Sequence, residues 1–104
     1  MILIAINITD NAIKIRGHAG YAPRGQDIVC AGVTALTQTL VEAIEGLTGN
    51  EIKYDMSPGR VDIKIKDPDE DAQLLMDSFL VGIEMIADEF PEYVRVEESN
   101  DLGL

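Results

Sequence analysis

The chain has 104 residues, 46% of them apolar and 26% charged, which supports one hydrophobic core and excludes both a two-domain cofactor enzyme and a core-poor disordered chain. Nineteen acidic residues against eight basic leave a net charge of −11 and a pI near 4.2, a field that repels phosphate backbones and anionic lipid. Neither direct nucleic-acid binding nor a membrane partner is expected.

Ile2, Ile4, Ile6 and Ile8 of the opening MILIAINI share one face at period two, while Leu3 and Ala5 keep the other face apolar, as in an interior strand. The segment is short and has no basic lead-in, so it does not read as a signal peptide. No apolar run approaches the ~18 residues of a membrane span. Thr9-Asp10-Asn11 reads as a turn. Ile13 and Ile15 then alternate with Lys14 and Arg16, which predicts a hairpin over 2–16. GHAGYAPRGQ, residues 17–26, breaks the pattern with three Gly and one Pro and reads as a loop. Asp27 is placed to cap a helix that runs to about Glu45, with a core stripe of Val29, Val33, Leu36, Leu40, Ile44 and Leu47.

Ile52, Tyr54 and Met56, the turn Ser57-Pro58-Gly59-Arg60, and Val61, Ile63 and Ile65 predict a second hairpin. A second helix is expected from Asp67-Pro68. Its polar residues Gln73, Asp77, Glu84 and Asp88 form only a narrow stripe, and Leu74, Leu75, Met76, Phe79, Leu80, Val81, Ile83, Met85 and Ile86 fill the rest. That is more apolar surface than one sheet covers, and the excess points to a second copy of the chain. A strand from Tyr93 to Glu97 follows. The order β-β-α-β-β-α-β implies an α/β (α+β) two-layer sandwich, a mixed sheet covered on one face by two helices. Residues 1–98 are read as one domain and 99–104 as a frayed tail.

Charge is uneven: Asp10 stands against Lys14, Arg16 and Arg24 in the first 26 residues, and the acid excess lies beyond them. An acidic body is compatible with a basic polypeptide partner, although most such charge is simply a solvated surface that aids solubility. A single cysteine excludes an internal disulfide, and nothing marks an oxidising compartment, so a cytoplasmic location is expected.

That cysteine, Cys30, and the one histidine, His18, lie twelve positions apart. The chain between them reaches at most ~40 Å, and a loop kinked at Gly20, Pro23 and Gly25 can fold back to bring them together. A thiol in the first helical turn beside an imidazolium is readily ionised, and the amides of Cys30 and Ala31 are expected to be free for a developing oxyanion. The same residues also fit a small buried thiol and a polar histidine at a strand end. No Arg follows Cys30 within six residues, which excludes a phosphatase-type cysteine loop. One Cys and one His fall short of a zinc site, and no cofactor is expected. The glycine-rich segment lacks the Lys-Ser/Thr ending of a phosphate loop. Asp67, Asp69, Glu70 and Asp71 fit charge at a helix N-terminus better than a calcium loop.

Gly17-His18-Ala19, followed by Gly25-Gln26-Asp27-Ile28-Val29-Cys30-Ala31-Gly32, resembles the signature of the bacterial ribosomal-processing cysteine proteases, the Prp family, as does Asp71-Ala72-Gln73-Leu74-Leu75. The resemblance implies a cytosolic, homodimeric endopeptidase that removes an N-terminal extension from a basic large-subunit ribosomal protein, the twenty-seventh in standard naming. It makes Cys30 the nucleophile and His18 the acid/base partner. Where the family pattern has Ser four residues after the cysteine, this chain has Thr34, which keeps the hydroxyl on a bulkier side chain. Asp27 can orient His18 or cap the helix, and residues 19–26 are a candidate lid. The rivals are a non-catalytic dimeric adaptor that binds a ribosomal or assembly protein, and a thiol-transfer protein, for which the chain lacks a resolving cysteine.

Overall fold

Isoleucines at alternate positions make the first hairpin. In the computed structural model, which describes residues 1–99, β1 (Ile2–Asn7) and β2 (Ala12–Arg16) pair antiparallel with Ile4 opposite Ile15 and Ile6 opposite Ile13. This register sends the β-branched side chains to one face. Asn7 Oδ1 accepts from the Asp10 amide at 3.0 Å in the turn, and Asn11 takes a φ of 53° there, a conformation asparagine tolerates.

The remaining elements are α1 (Ile28–Leu47), β3 (Ile52–Ser57), β4 (Arg60–Ile65), α2 (Glu70–Glu89) and β5 (Val94–Ser99), in the expected order. The strands lie in the order β3-β4-β2-β1-β5. Only β1 and β5 pair in parallel; the other neighbours are antiparallel, so the sheet is mixed. Following the pairings, β2 and β3 run the same way, as do β4 and β5, so each helix is a crossover between like-directed strands. The two crossovers start from oppositely directed strands and travel in opposite directions along the sheet. The right-handed rule therefore sends both helices to the same face.

That face holds the core. Ile2, Ile4, Ile6, Ile13, Ile15, Ile63, Ile65 and Val94 of the sheet pack under Val29, Val33, Leu40, Val41 and Ile44 of α1 and Ala72, Phe79 and Ile83 of α2. Each of the Val, Leu, Ile and Phe side chains contributes about 1.5–3 kcal/mol by leaving water. The helices approach closely at glycines: a Cβ on Gly82 would meet a Leu36 methyl at 2.8 Å, and one on Gly32 would meet Ile86 at 3.1 Å.

Several boundaries differ from the sequence reading. Leu47 is 74% exposed and leaves the α1 stripe, while Val41 joins it, as does Thr37, whose hydroxyl donates to the Val33 carbonyl at 2.7 Å and so can be buried. α2 begins at Glu70 because Asp69, not Asp67, caps it, accepting from the Ala72 amide at 2.9 Å. Asp67 has a φ of 44° and stands outside the helix. β5 runs through Ser99, one residue into the expected tail, and 100–104 lie outside the described residues. Helix α1 is long and apolar enough to meet a membrane-span criterion, but it lies on the sheet and against α2 as a core helix.

Candidate active site

Four segments meet at one end of the sheet because of the register. Arg16 at the end of β2 stands opposite Arg60 at the start of β4 and Leu3 near the start of β1, and Ile2 stands beside Val94 at the start of β5. The loop of residues 17–27, the chain start, the β3–β4 turn and the α2–β5 junction are thus neighbours. His18 and Cys30 lie at this end.

The backbone around His18 is held on both sides. The Gly17 amide donates to the Gly59 carbonyl at 2.9 Å, and the Met1 nitrogen donates to the His18 carbonyl at 2.7 Å. Gly17 has a φ of 92°, and a Cβ there would fall 2.4 Å from the Met1 carbonyl oxygen, so only glycine fits. Arg16 braces the same corner: its guanidinium donates to the Ile15 and Val61 carbonyls at 2.9 Å and to Asp62 at 2.6 Å. The Arg16 hydrogen bond holds the Asp62 carboxyl below the usual carboxylate range, with Arg60 assisting.

Cys30 is the third residue of α1. Its amide donates to Asp27 Oδ1 at 2.9 Å, the capping bond, and the Ala31 amide donates to the Asp27 carbonyl at 3.0 Å. Both amides are therefore committed to starting the helix, contrary to the expectation that they are free for an oxyanion. The amide aimed at the sulfur is a different one: Ala19 N donates to Cys30 Sγ at 3.3 Å. The other Asp27 oxygen accepts from the Tyr21 amide at 3.0 Å and the Ala22 amide at 3.4 Å. Asp27 thus caps α1 and ties down the loop, and it makes no hydrogen bond to His18 among the described residues. The Cys30 amide, with those of Tyr21 and Ala22, holds its carboxyl below the usual range against a partial loss of hydration.

The two sequence candidates share one cleft. A cavity of about 360 Å³ lies on one side, with Ile15, Val33, Met56 and Val61 among its apolar lining. A second of about 840 Å³ lies on the other, walled by residues of the 20–26 loop and by Ile28 and Ala35 of α1. His18, Cys30, Thr34, Gln38 and Pro58 border both. A chain occupying both cavities would pass Cys30, which borders each, and this suits attack on a peptide carbonyl. The part of Gln38 and of the Pro58-Gly59 turn escapes a linear reading. Gln38 lies two helical turns beyond Cys30, and the turn reaches His18 only through the pairing of β2 with β4.

A family model described as cysteine protease Prp matches residues 1–95. The ribosomal processing cysteine protease Prp of Staphylococcus aureus (strain Mu50 / ATCC 700699) is 36% identical over 103 residues, covering 92% of this chain and 97% of that protein. The protein of the same name from Bacillus subtilis (strain 168) is 33% identical over 95 residues, covering 82% of each. The crystal structure of the essential ribosomal processing protease Prp from S. aureus, in complex with a covalently linked product peptide, superposes with a TM-score of 0.90 at 31% identity, covering 95% of this chain and all of that one. A second structure of the S. aureus protease, in complex with a substrate peptide, gives 0.84 at 30%.

Proposed function

From the premise that the chain belongs to the Prp family of ribosomal-processing cysteine proteases, we propose that it removes the N-terminal extension of the twenty-seventh large-subunit ribosomal protein, with Cys30 as nucleophile and His18 as acid/base. The observation that carries this reading is the shared cleft: His18 and Cys30 border the same two cavities, and the Ala19 amide points at the sulfur.

The Cys30 thiolate attacks the scissile carbonyl, forming a carbon–sulfur bond and placing negative charge on the carbonyl oxygen. The Ala19 amide, which donates to the sulfur, can move to that oxygen as charge transfers. Collapse breaks the carbon–nitrogen bond while His18 gives a proton to the leaving amine. Water then attacks the thioester with His18 taking its proton, the carbon–sulfur bond breaks, and the carboxylate product leaves. Thr34, four residues after Cys30, borders both cavities beside the sulfur.

The net charge of −11 favours encounter with a basic ribosomal protein, an attraction that fades with salt. The enzyme works in the cytoplasm, as ribosome maturation requires, and as a homodimer through the apolar stripe of α2. Incubation of the purified chain with the extended ribosomal protein tests the assignment. Wild type is expected to cut at one position, and Cys30→Ala and His18→Ala to lose about 1,000-fold or more. Cutting that survives Cys30→Ala would remove the nucleophile, and an uncut substrate would leave binding without processing.

A further inference from the structure

The Tyr21 ring, in the loop between the two candidate residues, stands edge-on to two other rings: Phe90 at a centroid distance of 5.4 Å and 79°, and Tyr93 at 5.2 Å and 82°. These are favourable edge-to-face geometries. Neither partner belongs to the cleft. Phe90 ends α2, and Tyr93 precedes β5.

The platform they form is rigid. The Phe90 amide donates to the Ile86 carbonyl at 2.8 Å, the Phe90 carbonyl accepts from Tyr93 at 3.0 Å and from Val94 at 3.1 Å, and the Tyr93 carbonyl accepts from Ile2 at 2.8 Å. The junction is thereby fixed both to the helix and to the sheet. Around Tyr21 the loop has no such internal support. Gly20 and Gly25 take φ values of 71° and 88° with nothing within 4 Å of a Cβ, and the one backbone bond within the loop is Gln26 N to Pro23 O at 2.9 Å. The loop's remaining ties are the two amides on Asp27 and this ring. Gly20, Ala22, Arg24, Gly25 and Gln26 wall the larger cavity beside Cys30, so whatever fixes the ring fixes that wall.

We infer that Tyr21 is a positioning residue: its ring, docked on Phe90 and Tyr93, latches the 20–26 loop to the α2–β5 junction and so sets the half of the substrate cleft that lies on the loop side of Cys30. The inference rests on the peptide-cleaving role proposed for that cleft. Ala19, which contacts the sulfur, is held separately by its own burial and by the Met1 nitrogen at 3.5 Å. The latch therefore governs substrate seating more than the bond-breaking step. The phenol oxygen has no hydrogen bond among the described residues, so the ring carries the effect and Phe substitutes for it.

Steady-state cleavage of the extended ribosomal peptide and hydrogen exchange at the Ala22 amide test this together in wild type, Tyr21→Ala and Tyr21→Phe. Loss of two ring contacts in Tyr21→Ala is expected to raise KM about tenfold with kcat within about twofold, and to speed Ala22 exchange by a similar factor. Tyr21→Phe is expected to match wild type in all three. Phe90→Leu, which keeps the volume, is expected to reproduce part of the KM rise and to add nothing on top of Tyr21→Ala. A wild-type KM in Tyr21→Ala, a Tyr21→Phe as defective as Ala, or full additivity with Phe90→Leu would overturn the latch. If the wild type does not cut the peptide, the substrate assignment fails instead, and the exchange rates alone decide whether the latch exists.

Discussion

A Cβ on Gly59 would stand 2.9 Å from Nε2 of His18, so the imidazole rests on the backbone of the β3–β4 turn at a place where no other residue leaves room. Gly59 also has a φ of 74°, the value that the third residue of a Pro-Gly turn requires. Gly59→Ala is therefore expected to strain the turn by about 1 kcal/mol and, separately, to displace His18. A shift of about 1 Å in an acid/base group can slow turnover about 100-fold. Cleavage measured well below the melting temperature separates the two effects. A rate equal to wild type would mean that His18 does not work from this position.

Asp27 links acid stability to the site. Because amide donors hold its carboxyl below the usual range in the folded chain, its stabilising contribution is complete above the ordinary aspartate value of about 3.9 and is lost as pH falls through the lower folded value. Asparagine can still cap α1 through its one oxygen, but its NH2 would face the Tyr21 and Ala22 amides, donor against donor. Asp27→Asn is thus expected to melt lower than wild type near pH 7 and to converge on it only as pH falls below the ordinary aspartate range and through the lowered folded value, where wild type loses the charge. Melting curves of the two proteins across that range check the sign. A constant offset at all pH values would deny the charge any part.

Leu74, Val81 and Met85 are 67%, 59% and 67% exposed and follow one another at spacings of seven and four, so they form one stripe on the outer face of α2. Phe79 and Ile83 are buried, and Leu75, Met76, Leu80 and Ile86 are partly covered against the core. This divides the nine apolar residues of the helix into those the fold uses and those it leaves exposed, the face on which the proposed second copy would pack. Val81→Glu with Met85→Glu would place two charges in the seam and is expected to weaken self-association at least about 100-fold. Sedimentation equilibrium reads it directly, and a monomeric wild type or a dimeric double variant would reject α2 as the interface.

Strand faces were legible because period-two isoleucine runs leave one register with a dry face. Helix α1 was legible because Asp27 and the four-and-three spacing of valine and leucine fix a start and a side, whereas the run of acids before α2 offered several caps and the fold uses Asp69. Other features have no linear signal. Thr37 enters the core because a hydroxyl can bond its own helix four residues back, which hydropathy does not count. The commitment of the Cys30 and Ala31 amides follows from the same cap that made the helix predictable, yet its consequence for an oxyanion appears only once Ala19 is seen on the sulfur. Gly59 meets His18, and Phe90 meets Tyr21, through the order of strands in the sheet. Pairings between residues 16 and 60, and between 2 and 94, are set by the whole sheet rather than by any local run.

Gly46 offers a test of how independent the site is from the far end of its helix. It lies in the last turn of α1, has no positive φ, and a Cβ there would meet nothing within 4 Å. Alanine lowers the freedom of the unfolded chain and favours the helix, so Gly46→Ala is expected to add about 0.5–1 kcal/mol of stability. For a domain of this size that raises the melting temperature by about 2–8 °C. Sixteen residues separate it from Cys30, about 24 Å along the helix, so kcat and KM should stay at wild-type values. An unchanged melting temperature would mean that the last turn of α1 is frayed. A changed KM would mean that the helix transmits strain from its C-terminal end to the cleft, through the buried face that α1 shares with the sheet.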